Sequence, residues 1–222
     1  LVHMATLVHD DVIDAAPLRR GRATVVARSG RGRALATGDL LFSRAFAELA
    51  ACESSHRVGL LARAAVALAQ GELAQRHDAW DVSLDPERYL ARCRLKTAAL
   101  FECACVIGGE PDAATDALIA YGREIGLAFQ LLDDVLDVLG PAERTGKARG
   151  TDLLDGTVTL PFILARDSDP GLERVELRDL DAAGAEATCE RIAATGAAAS
   201  VRAQAAERVA GAKADLRASG VR

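Results

Sequence analysis

One acidic phrase occurs twice in this chain, more than a hundred residues apart: Asp10-Asp11-Val12-Ile13-Asp14 and Asp133-Asp134-Val135-Leu136-Asp137. Each follows an apolar, helix-like stretch, with Leu7-Val8 before the first copy and Phe129 and Leu131-Leu132 before the second. On a helix, positions i and i+4 share a face, so Asp10 points with Asp14 and Asp133 with Asp137. A surface helix keeps its carboxylates on the polar side, whereas these sit inside apolar runs. Two like charges about 4 Å apart repel by roughly 4 kcal/mol at an effective dielectric near 20, so a fold that gathers several of them needs a cation. Mg²⁺ is the natural candidate, a hard ion that prefers oxygen and bridges carboxylates to phosphates. Asp10, Asp11 and Asp14, with Asp133, Asp134 and Asp137, are the candidate metal ligands.

Half of the 222 residues are apolar, which reads as a single domain over residues 1–222. Few aromatics and abundant alanine suit closely packed helices better than a β-sandwich. A net charge of −5 and the lack of any basic stripe exclude nucleic acid as the expected partner. Cys52, Cys93, Cys103, Cys105 and Cys189 show no CxxC spacing. They fit free, mostly buried thiols of a reducing compartment, hence a cytoplasmic location. No run is long enough to predict a transmembrane segment. The chain opens at Leu1 inside a helical pattern, so further N-terminal sequence is expected upstream of it.

Apolar residues recur at three- and four-residue spacing almost throughout, and no segment alternates as a strand does. The pattern predicts helices over about 1–15, 34–52, 56–78, 85–107 and 113–139, a glycine- and charge-rich loop over 140–157, a helix resuming near Val158, and a helical tail over about 185–218. Asp85-Pro86 marks an N-cap with proline in the first turn.

Basic residues stand where a metal-bound anion needs them. Arg19 and Arg20 follow the first acidic helix, Lys96 lies mid-helix beside Thr97, and Lys147 sits in the loop Gly146-Lys147-Ala148-Arg149-Gly150. Together with the acidic phrases they describe a polyanion site, with Arg suited to forked phosphate contacts and Lys to a point charge. Gln130 stands three residues before Asp133 and faces the same way; with Thr97 it can aim oxygen dipoles at a developing positive charge.

As a set, His9-Asp10-Asp11-Val12-Ile13-Asp14, Leu18-Arg19-Arg20-Gly21-Arg22, Gly38-Asp39, Lys96-Thr97, Phe129-Gln130-Leu131-Leu132-Asp133-Asp134-Val135-Leu136-Asp137 and the segment from Gly146 to Asp152 resemble the trans-isoprenyl diphosphate synthases, the polyprenyl synthetase family. The motifs follow the family's order from residue 3 to about 165. The resemblance implies an all-α, isoprenoid-synthase-type helical bundle around a central cavity, here without the family's N-terminal helices, and a homodimer. It implies head-to-tail condensation of isopentenyl diphosphate with an allylic diphosphate, with about three Mg²⁺ per active site. Carried across, Asp10, Asp14 and Asp133 hold those ions on the allylic diphosphate. Arg19, Lys96 and Lys147 clamp the same diphosphate, Arg20 reaches isopentenyl diphosphate, and Thr97 and Gln130 stabilise the allylic cation. Thr157 stands where family members usually carry lysine, which weakens one expected phosphate contact.

In this family the side chains one turn before the first acidic motif set product length. Ala5 and Thr6 stand there and are small, so a product longer than C20 is expected, and Ala5→Phe is expected to shorten it. The alternatives are a shorter-chain farnesyl or geranylgeranyl diphosphate synthase and a non-catalytic subunit of a heteromeric synthase. A class I terpene cyclase resembles this chain only at the first motif.

Overall fold

The computed structural model describes residues 1–19, 21–109, 115–140 and 149–220. Its described chain falls into two units, Leu1–Ala65 and Val66–Arg222, and helices form almost all of both.

In the first unit, helix α1, Val2–Ile13, turns Val2, Ala5 and Val12 inward at helical spacing and packs on α3, Arg31–Ala50, through Ala34, Gly38 and Ala45. Between them, Leu18–Arg19 (β1) and Arg22–Ala23 (β2) pair antiparallel, and a short helix α2, Val25–Ser29, follows. Thr24 caps α2, its side chain accepting a hydrogen bond from the Ala27 amide. The small hairpin departs from the strand-free expectation. Two residues per strand are too few to leave an alternation in the sequence.

Helix α4, Ser55–His77, runs from the first unit into the second. Asp85 caps α5, Pro86–Cys93, its side chain accepting from the Arg88 amide, with Pro86 in the first turn as predicted. The predicted helix over 85–107 is continuous but not uniform: Arg94–Ala98 is a π-turn, after which α6 continues over Ala99–Gly108. Such single wide turns occur frequently at functional sites. Helix α7, Thr115–Leu139, is the longest of the described helices and carries the second acidic phrase.

After it come α8, Thr151–Leu154, and α9, Leu160–Arg166, then two 3₁₀ turns at Pro170–Arg174 and Leu177–Asp179. The predicted tail helix is two helices, α10 (Ala182–Ala194) and α11 (Ala197–Ala218), parted at Gly196, whose φ of 80° ends one and begins the other. The core of the second unit gathers Tyr89, Leu127, Leu131, Phe162, Ile163, Leu172, Ile192 and Val201.

The contact that positions the second acidic phrase is the approach of α7 to the π-turn. A Cβ on Gly126 would lie 2.6 Å from the Ala98 Cα, nearer than packing allows. Only hydrogen at that position lets the two backbones meet. Gly126→Ala is therefore expected to lower unfolding free energy by about 1 to 3 kcal/mol in chemical denaturation, despite the roughly 1 kcal/mol helix preference of alanine over glycine. Gly211→Ala, in α11 with nothing near its absent side chain, is expected to raise it by up to about 1 kcal/mol.

Candidate active site

The first acidic phrase divides its carboxylates between two sides of α1. Asp10 is half-buried and Asp14 exposed, one turn apart. Asp11, roughly 100° around the helix from Asp10, is 5 % exposed, and its Oδ1 accepts a hydrogen bond from Arg19 Nε at 2.8 Å. The hairpin that follows α1 folds back and returns Arg19 to it. Asp11, expected among the metal ligands, is thus committed to Arg19. A buried carboxylate needs a cationic donor, and the hairpin supplies it. The same contact takes one nitrogen of Arg19, expected as a diphosphate clamp, leaving the two terminal guanidinium nitrogens outside that bond. His9 stacks on Phe42, ring centroids 5.9 Å apart, and its Nε2 lies 3.3 Å from Asp39, which accounts for the Gly38-Asp39 motif. Ala5 is fully buried; Thr6 is half-buried and donates its hydroxyl to the His3 carbonyl at 2.8 Å. Arg20 lies outside the described residues.

The second phrase divides in the same way. Asp133 is exposed on α7, beside the exposed side chains of Phe129, Leu132 and Leu136. Asp134 is 1 % exposed on the face of Leu127, Leu131 and Val138. Its Oδ2 accepts the Tyr89 hydroxyl, and its Oδ1 accepts Gln130 Nε2 at 2.8 Å. Burial pushes this carboxyl up to about 6, against the opposing pull of the Tyr89 and Gln130 hydrogen bonds. Asp134, like Asp11, is therefore placed in the interior rather than among exposed ligands. Asp137 is half-buried; its two oxygens accept the backbone amides of Thr151, at 3.1 Å, and Asp152, at 3.2 Å. An anion at a helix N-terminus satisfies amides that lack partners within the helix, so Asp137 anchors α8. A carboxylate oxygen accepts more than one partner, so this anchoring is compatible with a cation at the same residue.

Lys96 and Thr97 stand side by side in the π-turn. Lys96 Nζ lies 2.6 Å from Glu72 Oε2 on α4. Gly71 makes this approach possible, since a Cβ there would meet the Lys96 backbone nitrogen at 2.5 Å. Burial alone would raise the Glu72 carboxyl, but Lys96 and Arg76 together hold it below its usual range. Thr97 Oγ1 donates to Gln130 Oε1 at 2.6 Å, so the structure brings together the two residues expected to face a cation. Lys147 lies outside the described residues. Thr157 accepts from Gln75 Nε2 at 3.4 Å.

Glu72, Tyr89 and Asp78 escaped the sequence reading. Asp78 is buried and receives Arg88 Nε at 2.8 Å and Nη2 at 2.5 Å, with Arg92 Nη1 4.0 Å away. Arg92, also buried, donates to the Val158 carbonyl at 2.8 Å, which ties α5 to the stretch of chain after Thr157. The only sequence signal for Tyr89 was a lone aromatic two turns before Thr97, indistinguishable there from ordinary core.

Among the described residues, no three His, Cys, Asp or Glu side chains converge to form a metal cage. Asp10, Asp14, Asp133 and Asp137 offer hard oxygen donors in pairs, which suits a cation that completes its shell with water and ligand phosphate.

A family model described as polyprenyl synthetase matches residues 1–193. The chain is 41 % identical to heptaprenyl diphosphate synthase component 2 of Geobacillus stearothermophilus over 169 residues, 74 % of this chain and 53 % of that protein. It is 40 % identical to octaprenyl diphosphate synthase of Haemophilus influenzae over 168 residues, 74 % of this chain and 51 % of that protein. Among solved structures, a polyprenyl synthase of Caulobacter crescentus complexed with calcium and isoprenyl diphosphate superposes with a TM-score of 0.88 at 37 % identity, covering 97 % of this chain and 69 % of that one. The chain spans about half the length of the curated relatives it matches.

A double-mutant cycle on Asp11→Asn and Arg19→Met is expected to give a coupling energy of about 1 to 3 kcal/mol in chemical denaturation. A coupling near zero would mean that Arg19 does not hold Asp11 in solution.

Proposed function

This chain belongs to the polyprenyl synthetase family, and on that premise we propose that the protein is an Mg²⁺-dependent prenyltransferase. It condenses isopentenyl diphosphate with an allylic diphosphate, head to tail, into an all-trans polyprenyl diphosphate longer than C20. The observation that carries this reading is the Thr97–Gln130 pair, two oxygen dipoles joined at 2.6 Å, with Lys96 next to Thr97 in the π-turn and the exposed Asp133 three residues after Gln130 on α7. Relatives named as heptaprenyl and octaprenyl diphosphate synthases support the product length, as do the small side chains Ala5 and Thr6.

In this proposal Asp10, Asp14, Asp133 and Asp137 hold about three Mg²⁺ ions, with Asp11 and Asp134 setting the rotation of each acidic helix from inside. When bound, Mg²⁺ neutralises the leaving diphosphate and so favours ionisation of the allylic carbon–oxygen bond. Lys96, Lys147 and the terminal nitrogens of Arg19 bind and orient the allylic diphosphate, and Arg20 binds isopentenyl diphosphate. Thr97 and Gln130 present oxygen dipoles to the allylic cation, already fixed before the charge appears. The double bond of isopentenyl diphosphate then forms the new carbon–carbon bond. The released diphosphate takes the proton whose loss sets the new double bond. Glu72 tethers Lys96, so the ammonium is held in place before substrate arrives. The protein is proposed to work as a cytoplasmic homodimer; no described helix is long and apolar enough to cross a membrane.

The test is incubation of the protein with Mg²⁺, labelled isopentenyl diphosphate and farnesyl or geranylgeranyl diphosphate, with products sized after phosphatase treatment. Prenyl alcohols longer than C20 are expected. Products ending at C15 or C20 would contradict the length, and no condensation at all would contradict the activity. Lys96→Ala is expected to slow condensation by about 10²- to 10³-fold, the scale of losing one preorganised electrostatic group. Thr6→Phe and Ala5→Phe are each expected to shorten the product. Because Ala5 is fully buried, Ala5→Phe is also expected to cost about 1 to 3 kcal/mol of stability through overpacking. An unchanged product distribution in both variants would place the length determinant elsewhere.

A further inference from the structure

A glutamine amide has an acceptor end and a donor end of nearly the same shape, and its partners decide which end points where. At Gln130 those partners sit on two different helices. Gln130 Nε2 faces Asp134 Oδ1 at 2.8 Å, and Gln130 Oε1 faces Thr97 Oγ1 at 2.6 Å. On the far side of Asp134, the Tyr89 hydroxyl donates to Oδ2. Tyr89 and Asp134 are each 1 % exposed, so no bulk water is at hand to replace a lost partner in this chain of bonds.

We propose that Tyr89 and Asp134 are positioning residues that fix the polarity of the Gln130 amide, so that its carbonyl end, and with it the oxygen of Thr97, faces the reacting cation. This rests on the prenyltransferase reading above.

The physical case is directional. Asp134 Oδ2 is taken by the Tyr89 hydroxyl and Oδ1 faces the Gln130 NH₂ at 2.8 Å, so Asp134 admits Gln130 in one orientation, NH₂ inward and oxygen outward. The outward oxygen then takes the Thr97 proton. That leaves the Thr97 lone pairs directed away from Gln130, and both oxygens present their negative ends together. Reversing the amide would turn an N–H toward Thr97 and a positive dipole end toward the cation, undoing the stabilisation that preorganised dipoles supply. Tyr89 keeps Asp134 from turning. Burial first, and then the neighbouring Asp134 charge, hold the Tyr89 phenol well above its usual range, so it remains a donor. The Arg92 guanidinium lies over the Tyr89 ring, 5.5 Å from its centroid.

Asp134→Asn separates this role from a merely structural one. The substituted amide can still accept from Tyr89 through its oxygen, but it then offers an NH₂ to Gln130 and reverses the Gln130 amide. The single-turnover condensation rate is expected to fall about 100-fold. Binding of a non-ionising allylic thiolodiphosphate is expected to stay within about threefold. The doubly altered Asp134→Asn/Gln130→Glu protein restores an acceptor toward Thr97, because a carboxylate at 130 accepts from both sides, and is expected to recover at least about tenfold of the loss. Tyr89→Phe is expected to lose about tenfold in rate, again with binding kept, and it carries the kinetic test should Asp134→Asn fail to fold.

A readout free of turnover is the side-chain amide of Gln130 in ¹⁵N-labelled protein. Its protons are expected to exchange slowly in the unaltered protein and to lose that protection in Asp134→Asn. An unaltered rate in Asp134→Asn, failure of the double variant to recover, or a Gln130 amide already unprotected in the unaltered protein would overturn the inference. If the unaltered protein does not condense the substrates, the proposed function fails, and the amide exchange alone decides the polarity of Gln130.

Discussion

Helix α7 meets the π-turn at Arg94–Ala98 more closely than any side chain at residue 126 would permit, and the chemistry of the second unit descends from that approach. One helical turn beyond Gly126, Gln130 comes within reach of Thr97. One turn further, Asp134 meets Tyr89 and Gln130 in the interior. With Asp134 fixed inward, Asp133 must face outward, and Asp137 falls where it can receive the first amides of α8. A methyl group at 126 would separate the backbones and loosen each of these contacts in turn. The wide turn on the other side of the contact sets Lys96 and Thr97 next to each other, one held by Glu72 and the other by Gln130.

The two acidic phrases share one internal logic. In each, the second aspartate is buried and committed to a donor from another element: Arg19 of the hairpin for Asp11, Tyr89 of α5 for Asp134. In each, the first and third lie a turn apart on another side of the helix. A buried carboxylate with a fixed partner sets the rotation of the helix that carries it. That gives the middle aspartate of each phrase a physical role beside the two proposed cation ligands. The inner residue makes the outer pair point one way, at the cost of burying a charge that only its hydrogen bonds offset.

Much of this was legible in the sequence. Apolar spacing located the long helices, and Asp85-Pro86 marked the start of α5 as the structure has it. Spacing of four also gave the shared faces of Asp10 with Asp14 and Asp133 with Asp137. Four features were not legible, each for a physical reason. The π-turn shows only as a five-residue step between buried Cys93 and Ala98, too slight a shift to stand out in the apolar pattern. The inward rotation of Asp11 and Asp134 depends on partners eight and forty-five residues away, Arg19 and Tyr89. The split of the tail at Gly196 hung on one glycine's positive φ, inside an alanine-rich run that reads as continuous helix. Glu72 was hidden because a glutamate on a long helix ordinarily faces solvent, and only the close approach at Gly71 brings Lys96 to it.

The proposed chemistry depends most directly on a divalent cation joining the outer aspartates to an allylic diphosphate. The decisive measurement is calorimetric binding of a non-ionising allylic thiolodiphosphate to the protein, with Mg²⁺ and again in excess EDTA, repeated for Asp10→Asn and Asp133→Asn. Tight binding that requires Mg²⁺ and weakens by about tenfold or more in either variant is expected, since each substitution removes a charged oxygen donor from the cation. Binding of equal strength in EDTA, or unchanged in both variants, would contradict a metal-bridged diphosphate site built on these two phrases.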